Sequence, residues 1–324
     1  MQISCGFAPG PGAVDHVVKA EELGYERAWF WDSPSLYGDI WVIAALAAER
    51  TSRIGLGPAV LVPSLRHPMV NAAAIATLEQ LAPGRTAAAL GTGFTGRMAM
   101  GQKPLTWKWT RNYIEQLRGL LRGETVEIDG GMARMLHEPE FAPPFPINTP
   151  IVVAANGPKG MAVADELGDG VMTIGGGSDA FDWVSTLMFG TVLEEGEDPA
   201  SDRALAAAGP GLAVVYHAMY EGDPASVEGL PNGVEWRKLT EEFPENERHL
   251  AIHEGHFARP NARDEIVVAG NPLLPAFTWT GTRDEIKARI DGAGETGINE
   301  LIYAPMGPDI TRELETFLEA ARSR

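Results

Sequence analysis

IGLGPAVLVPSLRHPMVNAAAIATLEQLAPGRTAAALGTG, residues 54–93, contains the clearest signal of the architecture. An apolar run over residues 54–62 ends at Pro63 and predicts a buried strand. Pro68 then starts a predicted helix, because proline fits the first helical turn and apolar side chains recur downstream at helical spacing. Residues 86–90 are again short and apolar. A strand, a helix and a second strand in this order are typical of a parallel sheet whose strands alternate with helices.

The same alternation continues on both sides of this stretch. Further strands are predicted over residues 3–8, 25–31, 150–155, 170–174, 212–216 and 300–304. Helices are predicted over residues 13–23, 39–50, 107–122, 161–167, 181–195, 202–208, 282–290 and 310–322. Together with the quoted stretch, these segments give eight strands with intervening helices.

Two segments interrupt the alternation. Residues 126–150 are rich in proline and predict a short hairpin and a loop. Residues 222–275 are polar and contain proline, with a helical core over residues 242–253, so we interpret them as an insertion before the last strand–helix unit. Eight units with such an insertion predict an α/β fold, a (β/α)₈ TIM barrel, formed by residues 1–324 as a single domain.

The composition narrows the class of protein. Of 324 residues, 44% are hydrophobic and 22% are charged, which is typical of a globular domain and excludes a disordered or collagen-like chain. Lys and Arg number 26 against 44 Asp and Glu, and the resulting charge of −18 makes nucleic acids and anionic membranes poor partners. Cys5 has no partner for a disulfide, and neither an export signal nor a bilayer-length apolar segment is visible. We therefore expect a cytoplasmic protein that acts on a small molecule.

Glycine-rich segments follow three of the predicted strands, at the barrel face where ligands bind. Thr92 and Gly93 lie in the Gly-Thr-Gly turn after the fourth strand, where a ring could lie against the backbone, although a flexible turn is the alternative. After the fifth strand, Asn156, Gly157, Pro158 and Lys159 precede a helix, whose free N–H groups and nearby lysine predict an anion site. The alternative is that this segment is an ordinary helix start that binds no anion. Gly175 and Gly176, after the sixth strand, could add backbone donors for the same anion.

Asp32 ends the second predicted strand, directly after Trp29, Phe30 and Trp31. A carboxylate beside this much aromatic surface should be desolvated, which raises its pKa and suits acid–base or hydrogen-bonding work. The alternative is that Asp32 only caps the following turn.

Three histidines, His249, His253 and His256, follow one another at helical spacing within the insertion. They could be interpreted as a metal site, but Gly255 interrupts the helix and no carboxylate or cysteine completes an obvious ligand set. We therefore expect no metal, and favour histidines that line a pocket and donate protons, with a solvated surface face as the alternative.

Several motifs together resemble the bacterial-luciferase-like superfamily. They are Gly57-Pro58-Ala59-Val60-Leu61-Val62-Pro63, Arg66-His67-Pro68, Leu81-Ala82-Pro83-Gly84-Arg85, Gly91-Thr92-Gly93, Ala155-Asn156-Gly157-Pro158-Lys159-Gly160, ADELGDGV at residues 164–171 and Gly281-Thr282-Arg283-Asp284-Glu285-Ile286. Each motif is loose by itself, but their order and spacing cover most of the chain outside the insertion. Within the superfamily, the chain is most similar to the coenzyme F420-dependent, methylenetetrahydromethanopterin-reductase-like branch.

The resemblance implies a barrel enzyme that binds coenzyme F420 or, as the alternative, FMN. The cofactor ring would lie on a bulge of the third strand that contains a non-prolyl cis peptide, by position the bond between Ala59 and Val60. The cofactor phosphate would bind at residues 157–159, in agreement with the anion site inferred above. Thr92 and Gly93 would approach the ring or its ribityl chain.

The chain departs from the sugar-phosphate dehydrogenases of the superfamily. Those enzymes carry Asp-His after the second strand and an acidic residue after the Gly-Thr-Gly turn, whereas this chain has Asp32-Ser33 and Phe94. Phe94, Trp31 and Phe7 instead predict an apolar pocket and a less polar substrate.

The resulting expectation is an oxidoreductase that transfers a hydride between coenzyme F420 and a small, fairly apolar organic substrate. Asp32 would hydrogen-bond or shuttle a proton, and His253 or His256 would act as a general acid. The alternatives are an FMN-dependent luciferase-like monooxygenase, a Schiff-base lyase using Lys159, a hydrolase using a histidine-bound metal, and a non-catalytic flavin-binding protein. Exposed apolar positions on the helix after Pro68 predict a homodimer.

Overall fold

Eight parallel strands form one sheet within residues 1–323, the part of the chain described by this computed structural model. All strands in chain order are β1 (Gln2–Phe7), β2 (Arg27–Phe30), β3 (Gly55–Pro58), β4 (Ala88–Leu90), β5 (Val126–Ile128), β6 (Gly131–Ala133), β7 (Ile151–Ala154), β8 (Gly170–Thr173), β9 (Val184–Phe189) and β10 (Glu300–Ala304). The short strands β5 and β6 lie outside the main sheet and form the antiparallel hairpin that the sequence predicts.

The sheet closes into a barrel. Its strand order is β3-β2-β1-β10-β9-β8-β7-β4, and the two end strands meet through parallel bridges from Leu56 to Thr86 and from Leu61 to Leu90. The first and last strands are neighbours, with Gln2 opposite Glu300. This arrangement confirms the predicted (β/α)₈ TIM barrel.

Helices surround the barrel and also form the insertion. They are α1 (Pro11–Leu23), α2 (Ile40–Arg50), α3 (Pro68–Leu81), α4 (Phe94–Met98), α5 (Trp107–Leu121), α6 (Pro158–Leu167), α7 (Asp202–Gly222), α8 (Gly233–Glu241), α9 (Arg248–His253), α10 (Ala262–Val268), α11 (Leu274–Phe277), α12 (Arg283–Glu295) and α13 (Ile310–Arg322), with 3₁₀ turns at Pro63–Leu65 and Ser226–Gly229. A loop alone joins β8 to β9.

Two predicted elements are wrong, and both errors concern short apolar runs. Residues 181–195 are not a helix, because they contain β9, which pairs with β8 and β10. Residues 212–216 are not a strand, because they lie inside α7. Periodicity cannot separate a buried strand from one turn of a buried helix. Within α7, Gly211 allows close contact with β9, since a Cβ there would lie 2.3 Å from a ring carbon of Phe189.

The insertion between β9 and α12 contains α7 to α11 and is more helical than the sequence indicates. The predicted helix over residues 242–253 is shorter, because α9 begins only at Arg248. The insertion has its own apolar core, formed by Ala208, Leu212, Tyr216, Tyr220, Val227, Trp236, Ile252, Val267 and Leu274.

Side chains fill the barrel interior. The apolar layer consists of Trp29, Ala59, Ala87, Ala89, Val152, Met172 and Ile302. Below it, at the start of β10, the buried Glu300 carboxylate accepts hydrogen bonds from the indole N–H groups of Trp29 (3.2 Å) and Trp183 (2.6 Å). Because this end is packed, we look for the ligand site at the carboxyl ends of the strands, where barrel enzymes have it.

Candidate functional site

The loops after β2 and β3 are joined at the barrel mouth. The Ala59–Val60 peptide bond is cis, as the resemblance implies. Two residues further on, the Val62 N–H donates to Oδ2 of Asp32 over 3.1 Å. Asp32 and residues 59–62, which the sequence assigns to one site, therefore lie side by side.

Asp32 is held by Arg66, a partner that the sequence analysis did not assign. The Nη1 atom of Arg66 donates to both Asp32 oxygens, over 2.8 and 2.9 Å, and its Nη2 atom donates to Asp39 over 2.8 Å. Asp32 is only 3% exposed, and this burial raises its pKa, while the hydrogen bonds from Arg66 and Val62 oppose the rise. The carboxylate thus fixes the third-strand loop through Val62 and anchors Arg66 above it.

The Gly-Thr-Gly turn after β4 packs directly on these two loops. Gly93 has a φ of 78°, and a Cβ at this position would lie 2.5 Å from Cγ1 of Val62. A Cβ at Gly96 would lie 2.8 Å from the Asp32 carbonyl oxygen. Since neither position has room for a side chain, Thr92 and Gly93 are held against the third-strand loop.

The segments after β7 and β8 continue the mouth beyond the Gly-Thr-Gly turn, since β4 is hydrogen-bonded to β7 and β7 to β8. Helix α6 begins at Pro158 with no side chain capping its first turn, and the adjacent Lys159 is exposed and has no ion pair within residues 1–323. Asn156 accepts a hydrogen bond from the Ile174 N–H over 2.7 Å, which brings the two segments together. Around Gly157, Gly175 and Gly176, the space that a Cβ would need is open. The uncapped helix start, the exposed lysine and the open space at the glycines suit the binding of an anion.

A cavity of about 250 Å³ lies where the ends of β1, β2 and β10 face the insertion. Its walls are mostly apolar and include Phe7, Ala13, Trp31, Phe257, Ala304, Met306 and Ile310. His16 is the ionisable group among its lining residues, and burial lowers its pKa. Phe7 and Trp31 thus line an apolar pocket, whereas Phe94 lies on α4 and is 48% exposed.

The predicted histidines are only partly brought together. His253 and His256 meet inside the insertion with a third ring, His217 of α7, and all three are buried. His249 lies outside this group, against Gly101. Burial and the two neighbouring rings lower the pKa of His256. The sequence gives no signal for His217, which lies far upstream, directly after the segment interpreted as a strand over residues 212–216.

Comparison with known proteins identifies the family. The sequence profile of the luciferase-like monooxygenases matches residues 8–300. The chain belongs to this family. An F420-dependent glucose-6-phosphate dehydrogenase from Beutenbergia cavernae is 34% identical over 333 residues, covering 97% of this chain and 92% of the relative. A 5,10-methylenetetrahydromethanopterin reductase from Methanolobus tindarius is 26% identical over 320 residues, covering 91% of each chain.

Solved structures show the same fold over nearly the whole chain. The coenzyme F420-dependent tetrahydromethanopterin reductase from Methanopyrus kandleri superposes with a TM-score of 0.69 at 20% identity, covering 99% of this chain and 98% of the other. An F420-dependent secondary alcohol dehydrogenase, in complex with an F420–acetone adduct, gives a TM-score of 0.67 at 18% identity, covering 99% of both. This luciferase-like protein is an enzyme of an oxidoreductase family. None of the helices within residues 1–323 has the length and apolarity to cross a bilayer.

Proposed function

We propose that this luciferase-like enzyme transfers a hydride between coenzyme F420 and a small, fairly apolar organic substrate. The observation that carries the proposal is the arrangement at the barrel mouth. The uncapped helix start beside Lys159 follows β7, whose neighbour β4 bridges to the third-strand loop at Leu61, and an apolar cavity adjoins Trp31. The relatives that cover more than nine-tenths of this chain support the cofactor, since they include enzymes named for their F420 dependence.

The residues present fit a flat ring with an anionic tail. The bound deazaflavin would supply the hydride acceptor or donor. Lys159 and the free N–H groups at the start of α6 would bind its phosphate, with Asn156 fixing the neighbouring loop and Gly175 and Gly176 leaving room. The backbone at Ala59 and Val60 would support the ring, and Thr92 and Gly93 would lie beside it. Arg66 and Asp32 hold these loops in place.

The lining of the cavity favours an apolar substrate. Phe7, Trp31, Phe257 and Met306 surround it, and pocket walls of this kind bind organic molecules by apolar contact with few polar groups. The B. cavernae relative is named for a sugar phosphate, but this chain has Ser33 and Phe94 where the family resemblance implies a His and an acid in the sugar-phosphate dehydrogenases. Asp32 would accept a hydrogen bond at the mouth. That His253 or His256 acts as a general acid stays a prediction.

A second candidate is an FMN-dependent monooxygenase, which the description of the matching family supports. A non-catalytic flavin-binding protein is a third.

We further propose a homodimer in the cytoplasm. Helices α2, α3 and α5 pack side by side, and their outer surface exposes Val42, Leu46, Val70 and Trp109. Exposed apolar side chains on neighbouring helices are typical of an interface.

Substrate turnover tests the proposal. The purified protein is mixed with oxidised F420 and either a panel of small secondary alcohols or glucose 6-phosphate, and loss of the F420 absorption is followed. We expect reduction with an apolar alcohol and none with the sugar phosphate. The reverse result would exclude the apolar substrate, and product formation only with reduced FMN and oxygen would favour the second candidate.

A further inference from the structure

Three histidine rings converge in the core of the insertion, outside the barrel mouth. His217 comes from α7, His253 is the last residue of α9, and His256 follows in the next turn. They are 1%, 2% and 5% exposed. The Nδ1 atom of His256 lies 3.3 Å from Nδ1 of His217 and 3.2 Å from Nδ1 of His253. Three ring nitrogens therefore face one another in a space closed to solvent.

Two carboxylates determine how these rings carry their protons. Asp264 lies 3.0 Å from Nε2 of His217, and Glu221 lies 2.7 Å from Nε2 of His253. Because a carboxylate accepts hydrogen bonds, each Nε2 atom carries the hydrogen, and a neutral ring then presents the lone pair of its Nδ1 atom to the centre. Asp264 is itself fixed by the indole N–H of Trp236, over 3.0 Å, and by Asn261.

Protons alone cannot satisfy this arrangement. The Nδ1 atom of His256 has either one hydrogen or one lone pair, so it can form a good hydrogen bond with only one of its two neighbours. The other close pair of nitrogens is left without a hydrogen between them. A buried polar group without a partner is costly. A cation at the centre would satisfy all three lone pairs at once.

The spacing matches a transition metal. Metal–nitrogen bonds of about 2.0–2.1 Å at tetrahedral angles separate ligand nitrogens by roughly 3.3–3.4 Å. The two Nδ1–Nδ1 distances at His256 are close to this value, and the candidate ligand atoms of all three rings lie within 4.8 Å of one another. Imidazole suits zinc, copper and nickel, whereas magnesium and calcium require oxygen ligands. A ligating histidine whose other nitrogen donates to a carboxylate is the usual outer arrangement of such sites, and both Glu221 and Asp264 provide it.

We infer that His217, His253 and His256 bind one zinc-class divalent ion through their Nδ1 atoms, with Glu221 and Asp264 as outer partners. The inference goes beyond the proposed function, since the site lies in the core of the insertion. It competes with the acid's role predicted for His253 and His256, because a ring nitrogen that binds a metal cannot also donate a proton.

Such an ion would fix one wall of the cavity. It would join α7 to the turn after α9, which is shaped by Gly255 at a φ of 78°. Tyr37, from the loop after β2, donates to the His256 carbonyl oxygen over 2.6 Å and ties the same turn to the barrel. Phe257 follows directly and lines the cavity. We assign the ion a structural role, because the rings that hold it are buried.

Metal analysis of the full-length protein tests the inference. The chain is purified without a histidine tag, its zinc content is measured by mass spectrometry, and chelator-treated protein is titrated with Zn²⁺ and Co²⁺. We expect one ion per chain, either as purified or after titration, and a visible Co²⁺ absorption spectrum that appears on binding. No saturable binding by the folded, chelator-treated protein would overturn the inference.

Variants locate the ion. His256→Gln and His217→Ala should abolish stoichiometric binding, and Glu221→Gln should weaken it about 10–100-fold. His249→Ala is the matched control, because it removes a histidine from α9 outside the cluster. Retained binding in folded His256→Gln would overturn the inference. Should His217→Ala fail to fold, Glu221→Gln and the Co²⁺ spectrum of the unsubstituted chain still decide it.

Discussion

Asp32 and Arg66 form a two-bond ion pair at the carboxyl end of the barrel, with Nη1–O distances of 2.8 and 2.9 Å. Asp32 is almost fully buried, and the Arg66 side chain is 14% exposed. The pair connects the loop after β2 to the loop after β3, where we propose that the cofactor ring lies. The pair therefore fixes the positions of these two loops relative to each other.

Removing Arg66 should destabilise the protein strongly. Arg66→Ala leaves the Asp32 carboxylate buried without its cation, and breaking a buried pair in this way typically costs about 3–5 kcal/mol. Urea unfolding of the variant measures the loss in the free energy of unfolding. Arg53→Ala is the control, since Arg53 is exposed. Equal stability of both variants would show that the pair does not hold the loops.

Lys159→Ala should weaken F420 binding more than it slows the chemical step. A hydrogen bond to a charged group contributes about 1.5–3 kcal/mol, which corresponds to roughly 10–100-fold in Kd. Lys238→Ala is the control, because Lys238 is an exposed lysine on α8 of the insertion. Unchanged F420 affinity in Lys159→Ala would show that the cofactor phosphate does not bind at the start of α6.

Gly6→Ala should disturb the cavity. A Cβ at Gly6 would lie 2.1 Å from Cη2 of Trp31, so the indole that lines the cavity must move. We expect a loss of roughly 1–3 kcal/mol in the free energy of unfolding and a higher KM for the substrate. In Gly10→Ala the new methyl group meets nothing within 4 Å, and the variant serves as the control. An unchanged KM in Gly6→Ala would place the substrate elsewhere.

Acid should remove the stabilisation contributed by Glu197. This carboxylate accepts hydrogen bonds from Arg203, over 2.6 and 2.8 Å, and from Ser201 and the Glu194 N–H. The bonds from Arg203 lower its pKa from 4.5 to about 2. A depressed carboxyl pKa stabilises the folded state above the unfolded pKa, and this stabilisation is lost as pH falls from about 4.5 to about 2.

The free energy of unfolding at several pH values tests this linkage. Glu197→Gln should lose stability at neutral pH and show a shallower decline in acid than the unsubstituted protein. Glu245→Gln, at an exposed position, should leave the pH dependence unchanged. A decline of equal slope in Glu197→Gln would mean that other carboxylates account for the acid sensitivity.

The fold was largely predictable because each unit carries its own local signal. Proline at the start of α3 and α6 and glycine turns after the strands mark the boundaries without reference to the tertiary structure. Residues 184–189 and 212–216 were misassigned because their state depends on non-local contacts: β9 is a strand through its pairing with β8 and β10, and the second segment is helical within the insertion core.

The sites show the same limit. The order of the motifs indicates which loops form the cofactor site, because loops at the carboxyl ends of parallel strands lie at the same end of the barrel. Arg66 lay within a quoted motif, but only the folded chain shows that it pairs with Asp32. His217 joins His253 and His256 through the packing of α7 on the rest of the insertion, and no local pattern records that contact.

Direct titration shows whether the barrel mouth binds coenzyme F420. Oxidised F420 and, separately, FMN are added to the purified full-length protein, and the quenching of tryptophan fluorescence is followed. We expect saturable binding of one F420 per chain, tighter than that of FMN and weakened in Lys159→Ala. Saturable binding of FMN with no binding of F420, or no binding of either by folded protein, would contradict F420 binding at the barrel mouth.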